Sequence, residues 1–297
     1  MARLATIPQN PGLRSMHALT LFQQNFAVAE SLLQMYQLTG GLKEEELPEE
    51  LRRAVCIFWE EQENARVHHA SNDRITLLVR PTARIPGPIL IPGGLDFLLR
   101  QAVVVACTAL ETFLWNTVLE NALTIVRARR TGADEEIKNL SLTLEDYISI
   151  EHSPDRDMRV RQIILKNFER KTLYSPDAID RVARILTVRN FWEQVEKVCG
   201  ESATNLRRLI GDLIPRRNVI AHRADRPDDS KELDTHGLTP ISSAWTNMRV
   251  QAVKTLVTAA AGIFSQAMAQ LEKGLAAVRP PSGQPESNPM TKGLTYA

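Results

Sequence analysis

The residues best suited to chemistry lie in one stretch, PRRNVIAHRADR, residues 215–226. His222 sits among Arg216, Arg217, Arg223 and Arg226, with apolar Val219 and Ile220 between the first two arginines and the histidine. An imidazole titrates near neutral pH, so it can take a proton in one step and return it in another. A guanidinium offers paired donors in a plane that matches phosphate oxygens and can hold charge developing on them. Together these groups suit metal-independent cleavage of an RNA phosphodiester. A base removes the 2′-hydroxyl proton, an acid protonates the leaving 5′-oxygen, and a cation steadies the phosphorane. Such chemistry leaves 2′,3′-cyclic phosphate and 5′-hydroxyl ends. The competing reading is a solvated helix end with no chemistry at all.

Spacing sharpens the first reading. At about 100° per residue, Asn218 and His222 lie within roughly 40° of each other, so Asn218 can hold the imidazole in one tautomer. Arg217 precedes His222 by five positions, which puts it about 140° away on an ideal helix. One chain is therefore badly placed to aim both groups at one phosphate. Either Pro215 distorts the helix, or two chains pair and each supplies a histidine and an arginine to a shared cleft. The second remedy is preferred, because separate acid and base roles call for two histidines.

The candidate catalytic residues are thus Arg217, Asn218 and His222, with Arg216, Arg223 and Arg208 as candidate substrate-binding cations. Glu111 is the only acid between Ala102 and Val118; it either orients Arg216 or Arg217 or faces solvent at a helix edge, the second being favoured. Asp225, three residues past His222, either orients the imidazole or is an ordinary helix-end carboxylate, again with the second favoured.

The elements that must position these residues are helical almost throughout. Residues 15–38 place Leu19, Phe22, Phe26, Ala29, Leu33 and Tyr36 at steps of three and four, one apolar stripe ended by Gly40-Gly41. A second helix is expected from about Pro48 to Ala70, with Leu51, Val55, Phe58 and Trp59 inward. Residues 71–94 hold Pro81, Pro86, Pro88, Pro92, Gly87, Gly93 and Gly94 and read as a connector, in which ITLLV is a short strand or a helical turn. From Leu95 to Arg130 the apolar residues run nearly all round, as in the central helix of a bundle. Thr143 with Asp146, and Ser175-Pro176-Asp177, are helix starts. Gly200 ends a helix, Ser202 caps the next, and that helix runs through Pro215 into the arginine–histidine stretch. A polar loop, residues 226–239, leads to Thr239-Pro240, expected to cap a last long helix to about Ala277. The organisation expected is a helical segment with connector over residues 1–94 packed on the core, a helical core over 95–278 carrying the motif, and a disordered tail over 279–297.

The segment RNVIAH, an Arg-x4-His with a polar residue after the arginine, resembles the signature of the HEPN superfamily. Its sequel RADR, the helix starting TPISSAW and the upstream AVVVACTALETFLWNTV resemble in particular the RiboL-PSP-type HEPN domains. The resemblance spans roughly residues 18–270, with its specific motifs in the second half. It implies an all-α, up-and-down helical bundle that dimerises, with paired motifs lining a cleft. Many members are endoribonucleases of toxin, phage-defence or RNA-processing systems, and some are inactive binding or dimerisation modules. By that resemblance Arg217 and His222 are the catalytic pair, and Arg216 also fits the looser family spacing. The partners it suggests are RNA, a second copy of the chain, and an antitoxin or sensor protein.

Composition narrows the alternatives. The 297 residues carry a net charge of +1, so no whole-molecule field draws nucleic acid in. Charge is instead segregated: Glu44, Glu45, Glu46, Glu49 and Glu50 lie early, and the arginines cluster around residues 207–226. Cys56, Cys107 and Cys199 lack metal-ligand spacing, and His68-His69 have no supporting co-ligand spacing, so no metal and no cofactor is expected. The tryptophans Trp59, Trp115, Trp192 and Trp245 read as core residues. The run AVVVACTAL, between Arg100 and Glu111, is too short and too charged at its flanks to span a bilayer, and no signal peptide opens the chain. A cytoplasmic protein without membrane contact is the expectation.

Overall fold

The computed structural model describes residues 11–39, 42–43, 48–60, 62, 66–70, 76–79, 93–128, 143–168, 173, 175–227, 233–234 and 236–278. Among them are nine helices: α1 (Pro11–Thr39), α2 (Glu49–Phe58), α3 (Asp96–Ala128), α4 (Leu144–Glu151), α5 (Arg156–Phe168), α6 (Pro176–Ile185), α7 (Phe191–Cys199), α8 (Ala203–Arg223) and α9 (Ser243–Val278). Three short strands, β1 (Leu42–Lys43), β2 (Arg66–Ala70) and β3 (Thr76–Val79), form an antiparallel ribbon in the order β1-β2-β3. The core itself is all-α.

Helix α3 is the axis of that core. Its leucines, valines and alanines are buried on nearly every side, as the unbroken apolar composition requires. Helices α1 and α9 pack along it, and α5, α6 and α8 close the remaining sides. The stripe on α1 is the buried one: Phe22, Phe26, Ala29 and Leu33 are all 4% exposed or less. A column of rings ties four helices together. Phe22 meets Phe26 at 5.0 Å and Phe113 at 6.1 Å, Phe113 meets Phe264 at 6.4 Å, and Phe264 stacks on Phe191 at 5.3 Å. Such offset contacts add about 0.5–1.5 kcal/mol each beyond area burial. Helices α3 and α9 are long and apolar enough, by composition alone, to cross a membrane, although AVVVACTAL by itself is not. In each, 56% of the apolar window is buried inside the bundle, where a core helix belongs.

Local chemistry sets several boundaries as expected. Ser175 Oγ accepts the Ala178 N–H at 3.0 Å, with Pro176 in the first turn of α6. Thr143 and Asp146 form a reciprocal capping box at α4. Gly200 ends α7 at φ +75°. Others differ. Ser202 makes no side-chain cap; Glu196 reaches across from α7 and accepts the Ala203 N–H at 3.0 Å. Helix α9 is capped by Ser242, whose Oγ accepts the Trp245 N–H at 3.2 Å, because Thr239 is engaged in the site described below. Helix α2 stops at Phe58 rather than reaching Ala70. Glu60 beyond it takes left-handed backbone at φ +55°, and residues from Arg66 pair with β3 instead. The inward face expected for α2 is not inward: Leu51, Phe58 and Trp59 are 50%, 80% and 47% exposed, and only Cys56 is buried. The ITLLV stretch takes the strand alternative over Thr76–Val79. The expected tail, residues 279–297, lies outside the described residues.

Candidate functional site

Helix α8 carries the arginine–histidine motif, and its buried side fixes where each residue points. Leu206, Leu209, Ile210, Leu213 and Ile220 face the core. Taking Leu213 as inward, helix periodicity puts Arg217 about 40° to one side, Arg216 about 60° to the other and His222 about 180° away. Burial agrees: Arg216, Arg217 and Asn218 are partly buried, and His222 and Arg223 are exposed. The helix is continuous through Pro215, so the proline does not swing the two groups together.

Arg217 leans towards α3. Burial pushes the Cys107 thiol up to about 12; the Arg217 charge pulls against that and the Glu111 charge adds to it, so both side chains lie within electrostatic reach of the sulfur. The Nη1 of Arg217 donates to Asn218 Oδ1 at 3.2 Å. Asn218 therefore meets the arginine, whereas the sequence suggested it would steady the imidazole. Glu111 neither faces open solvent nor pairs with Arg216: it is partly buried, and its Oε1 accepts the Leu173 N–H at 3.5 Å.

The end of α8 departs most from expectation. Ala224 and Asp225 both take left-handed backbone, at φ +49° and +65°, and the N–H groups of both turn back to the Val219 carbonyl. Left-handed conformation costs a non-glycine residue about 1–2 kcal/mol. The reversal drives Asp225 under the helix, where it is 0% exposed. There its Oδ2 accepts from Arg100 Nε at 2.6 Å and from Arg216 Nη2 at 2.7 Å. Arg100 also donates to Asp234 Oδ2 at 2.8 Å and to the Thr239 carbonyl at 3.0 Å. Arg216 shares that carbonyl at 2.8 Å and reaches the Pro240 carbonyl at 3.2 Å. Thr239 completes the knot by donating its N–H and hydroxyl to the Asp225 carbonyl. Two guanidinium and two carboxylate groups thus balance in a mostly buried array. Removing one partner from such an array costs about 3–5 kcal/mol.

Two expectations are corrected here. Asp225 is not an ordinary helix-end carboxylate; it is the buried anchor of two arginines. Arg216, expected to bind substrate, has its donors directed at Asp225, Thr239 and Pro240. Burial, with Arg100 alongside, lowers its pKa from the ordinary arginine value against the pull of Asp225. Burial would raise Asp234, but the N–H groups of Leu238 and His236 and the Arg100 charge outweigh it and hold the carboxyl below the usual range. Burial does prevail at Asp96, where it raises the carboxyl above that range; the Tyr36 hydroxyl donates to it at 3.2 Å.

The remaining candidates divide in two. Arg208, expected to bind substrate, pairs with Asp212 at 3.3 Å and Asn205 at 2.9 Å. Arg223 stays exposed beside His222 at the helix end. Trp115, Trp192 and Trp245 pack against the core, with Arg249 stacked on Trp245 at 4.2 Å. Trp59 does not. Sequence reasoning missed Arg100. The available signal was a lone cation at the start of a helix apolar on every side, since a buried guanidinium demands carboxylate partners. Among the described residues, no cluster of three or more His, Cys, Asp or Glu is placed to hold a metal ion.

In a single chain, then, α8 offers an exposed imidazole flanked by Arg223, with Asn218 about 40° round the helix and the half-buried Arg217 on the inner side. This geometry can bring His222 and Arg217 to one phosphate only where another surface closes over the helix end. No curated protein and no solved structure is significantly similar to the chain. The family model of RiboL-PSP-HEPN matches residues 70–240, which contain α3, the whole of α8 and the Arg100–Asp225 knot. Helices α1 and α9 fall outside that match, so it is narrower than the resemblance read from the motifs. Since the matched region is more than half of an all-α chain, this protein belongs to the RiboL-PSP-HEPN family.

Proposed function

We propose that the protein is a metal-independent endoribonuclease that works as a homodimer, serving as a toxin or as an effector of antiviral or stress defence. The observation that carries this reading is the exposed His222 at the end of α8, inside the family-matched region and beside Arg223. An imidazole so placed is open to a substrate, and imidazole is the side chain best suited to proton transfer. In the proposed cleft, His222 of one protomer takes the 2′-hydroxyl proton. The partner subunit's His222 protonates the leaving 5′-oxygen. Arg217 stabilises the phosphorane, held at the cleft wall by Asn218. Atoms balance without water: the 2′-oxygen forms the cyclic phosphate as the bond to the 5′-oxygen breaks.

A second reading has its own observation. Arg216 is committed to Asp225 and Arg217 is half-buried, so the motif's guanidinium groups are less available than its spacing suggests. This favours a non-catalytic module that binds RNA or a nucleotide, or holds a dimer inside a toxin–antitoxin or defence complex. Fold membership alone does not decide between the two. The test is incubation of the full chain with end-labelled RNA in EDTA, with sedimentation of the same sample. Fragments ending in 2′,3′-cyclic phosphate from a dimeric species are expected. Binding without fragments would establish the second reading in place of the first.

A further inference from the structure

We propose that Arg100 is a positioning residue for His222, acting through Asp225. Its catalytic consequence rests on the endoribonuclease reading; its structural consequence does not. The two ends of the link are 125 residues apart in sequence, yet Arg100 Nε lies 2.6 Å from Asp225 Oδ2. Asp225 in turn is three residues from His222, across a reversal in which two successive non-glycine residues hold left-handed backbone.

That reversal needs an anchor. Left-handed alanine and aspartate are disfavoured locally, and such conformations persist only where the surroundings over-determine them. Here the surroundings are specific. Asp225 is fully buried, and its Oδ2 is bonded by two guanidinium groups. Arg216 belongs to α8 itself, so its bond to Asp225 joins the helix only to its own sequel. Arg100 belongs to α3, the axis of the core, and is 6% exposed. It therefore ties the reversal after α8 to the axis of the core, beyond the packing of Ile220. It also bonds Asp234 and the Thr239 carbonyl, further along the chain.

Arg100 does a second thing in the same geometry. By sharing Asp225 and Thr239 with Arg216, it completes a balanced array of charges that keeps Arg216 turned inward. The choice between Arg216 and Arg217 as the phosphate ligand is thereby made in favour of Arg217. Lysine at position 100 keeps one charge but has no planar fork, so it cannot reach Asp225, Asp234 and Thr239 together.

The test uses R100K, D225N and the double variant R100K/D225N in the full chain, below their melting temperatures. Two readouts are taken: NMR of the histidine side chains, and cleavage of a labelled mixed-sequence oligoribonucleotide in EDTA. Expected are His222 ring resonances moved to unstructured-peptide values in each variant, with His17 and His152 unmoved, and kcat lowered about tenfold or more with KM changed less than twofold. The double variant should match the worse single variant, because both break one link. Unmoved His222 resonances, or losses that multiply in the double variant, overturn the proposal. If wild type cleaves nothing, the nuclease reading fails while the NMR arm still decides this one. If R100K or D225N does not fold, D234N, which cuts only the partly solvated arm of Arg100, is expected to move His222 in the same direction by less, and an unmoved His222 there is equally contrary.

Discussion

Arg217 and His222, five residues apart on α8, leave the helix on opposite sides: Arg217 turns towards Cys107 of α3, and His222 is exposed. The separation is a consequence of helix geometry rather than of any local distortion, since α8 runs unbroken through Pro215. It gives the motif an outer and an inner surface. The outer surface holds the imidazole, and the inner one holds the guanidinium. Any reaction that uses both must close a second surface over the helix end, which is the physical basis for expecting a dimer.

The inner surface makes a prediction about Cys107. The thiol is 2% exposed and its pKa is pushed up to about 12 by burial, so thiolate is scarce and reagent has no path to it. Native-state labelling at pH 8 should modify Cys199, which is partly exposed, at least about a thousandfold faster than Cys107, whose reaction awaits global opening. Peptide mapping after timed quench measures both. Comparable rates would mean that α8 does not stay docked on α3.

Asp96 gives a pH signature next to the Arg100 array. Its pKa is raised on folding, chiefly by burial, with Asp234 adding to the effect and Tyr36, Arg100 and His236 opposing it. A raised folded pKa means that stability is fully present below the unfolded value of about 3.9 and is lost as pH rises through the folded value. Asn at this position still accepts the Tyr36 hydroxyl and removes that loss. Asp96→Asn should therefore gain about 0.5 kcal/mol over wild type at pH 7, small because the group is partly solvated, and nothing in acid. Urea unfolding across pH 3 to 8 checks it. A gain confined to low pH has the wrong sign.

How much of this was legible in the sequence depends on the range of the interaction. The stripe on α1, the apolar round of α3 and the Ser175-Pro176 start are set by neighbours within a few positions, and each appears where its pattern places it. The end of α2 is local too, but the left-handed position after it is Glu60, with no glycine or proline to mark it. Asp225 looked like an ordinary helix-end carboxylate because its partner Arg100 lies 125 residues away. Thr239 looked like a helix cap for the same reason: its competing partners are in α3 and α8. The motif residues stand out by type and spacing, whereas the array of Arg100, Arg216, Asp225 and Asp234 is a product of tertiary packing.

The most direct measurement of the central claim is RNA cleavage by His222→Ala beside wild type, at matched concentration in EDTA, with the melting temperature of each. His222 is exposed and its loss opens no cavity, so Tm should move by no more than a degree or two. Losing a general acid–base group should lower the cleavage rate about 10²–10⁴-fold, with no cyclic-phosphate ends remaining above background. Cleavage at the wild-type rate by a folded His222→Ala protein would contradict the account.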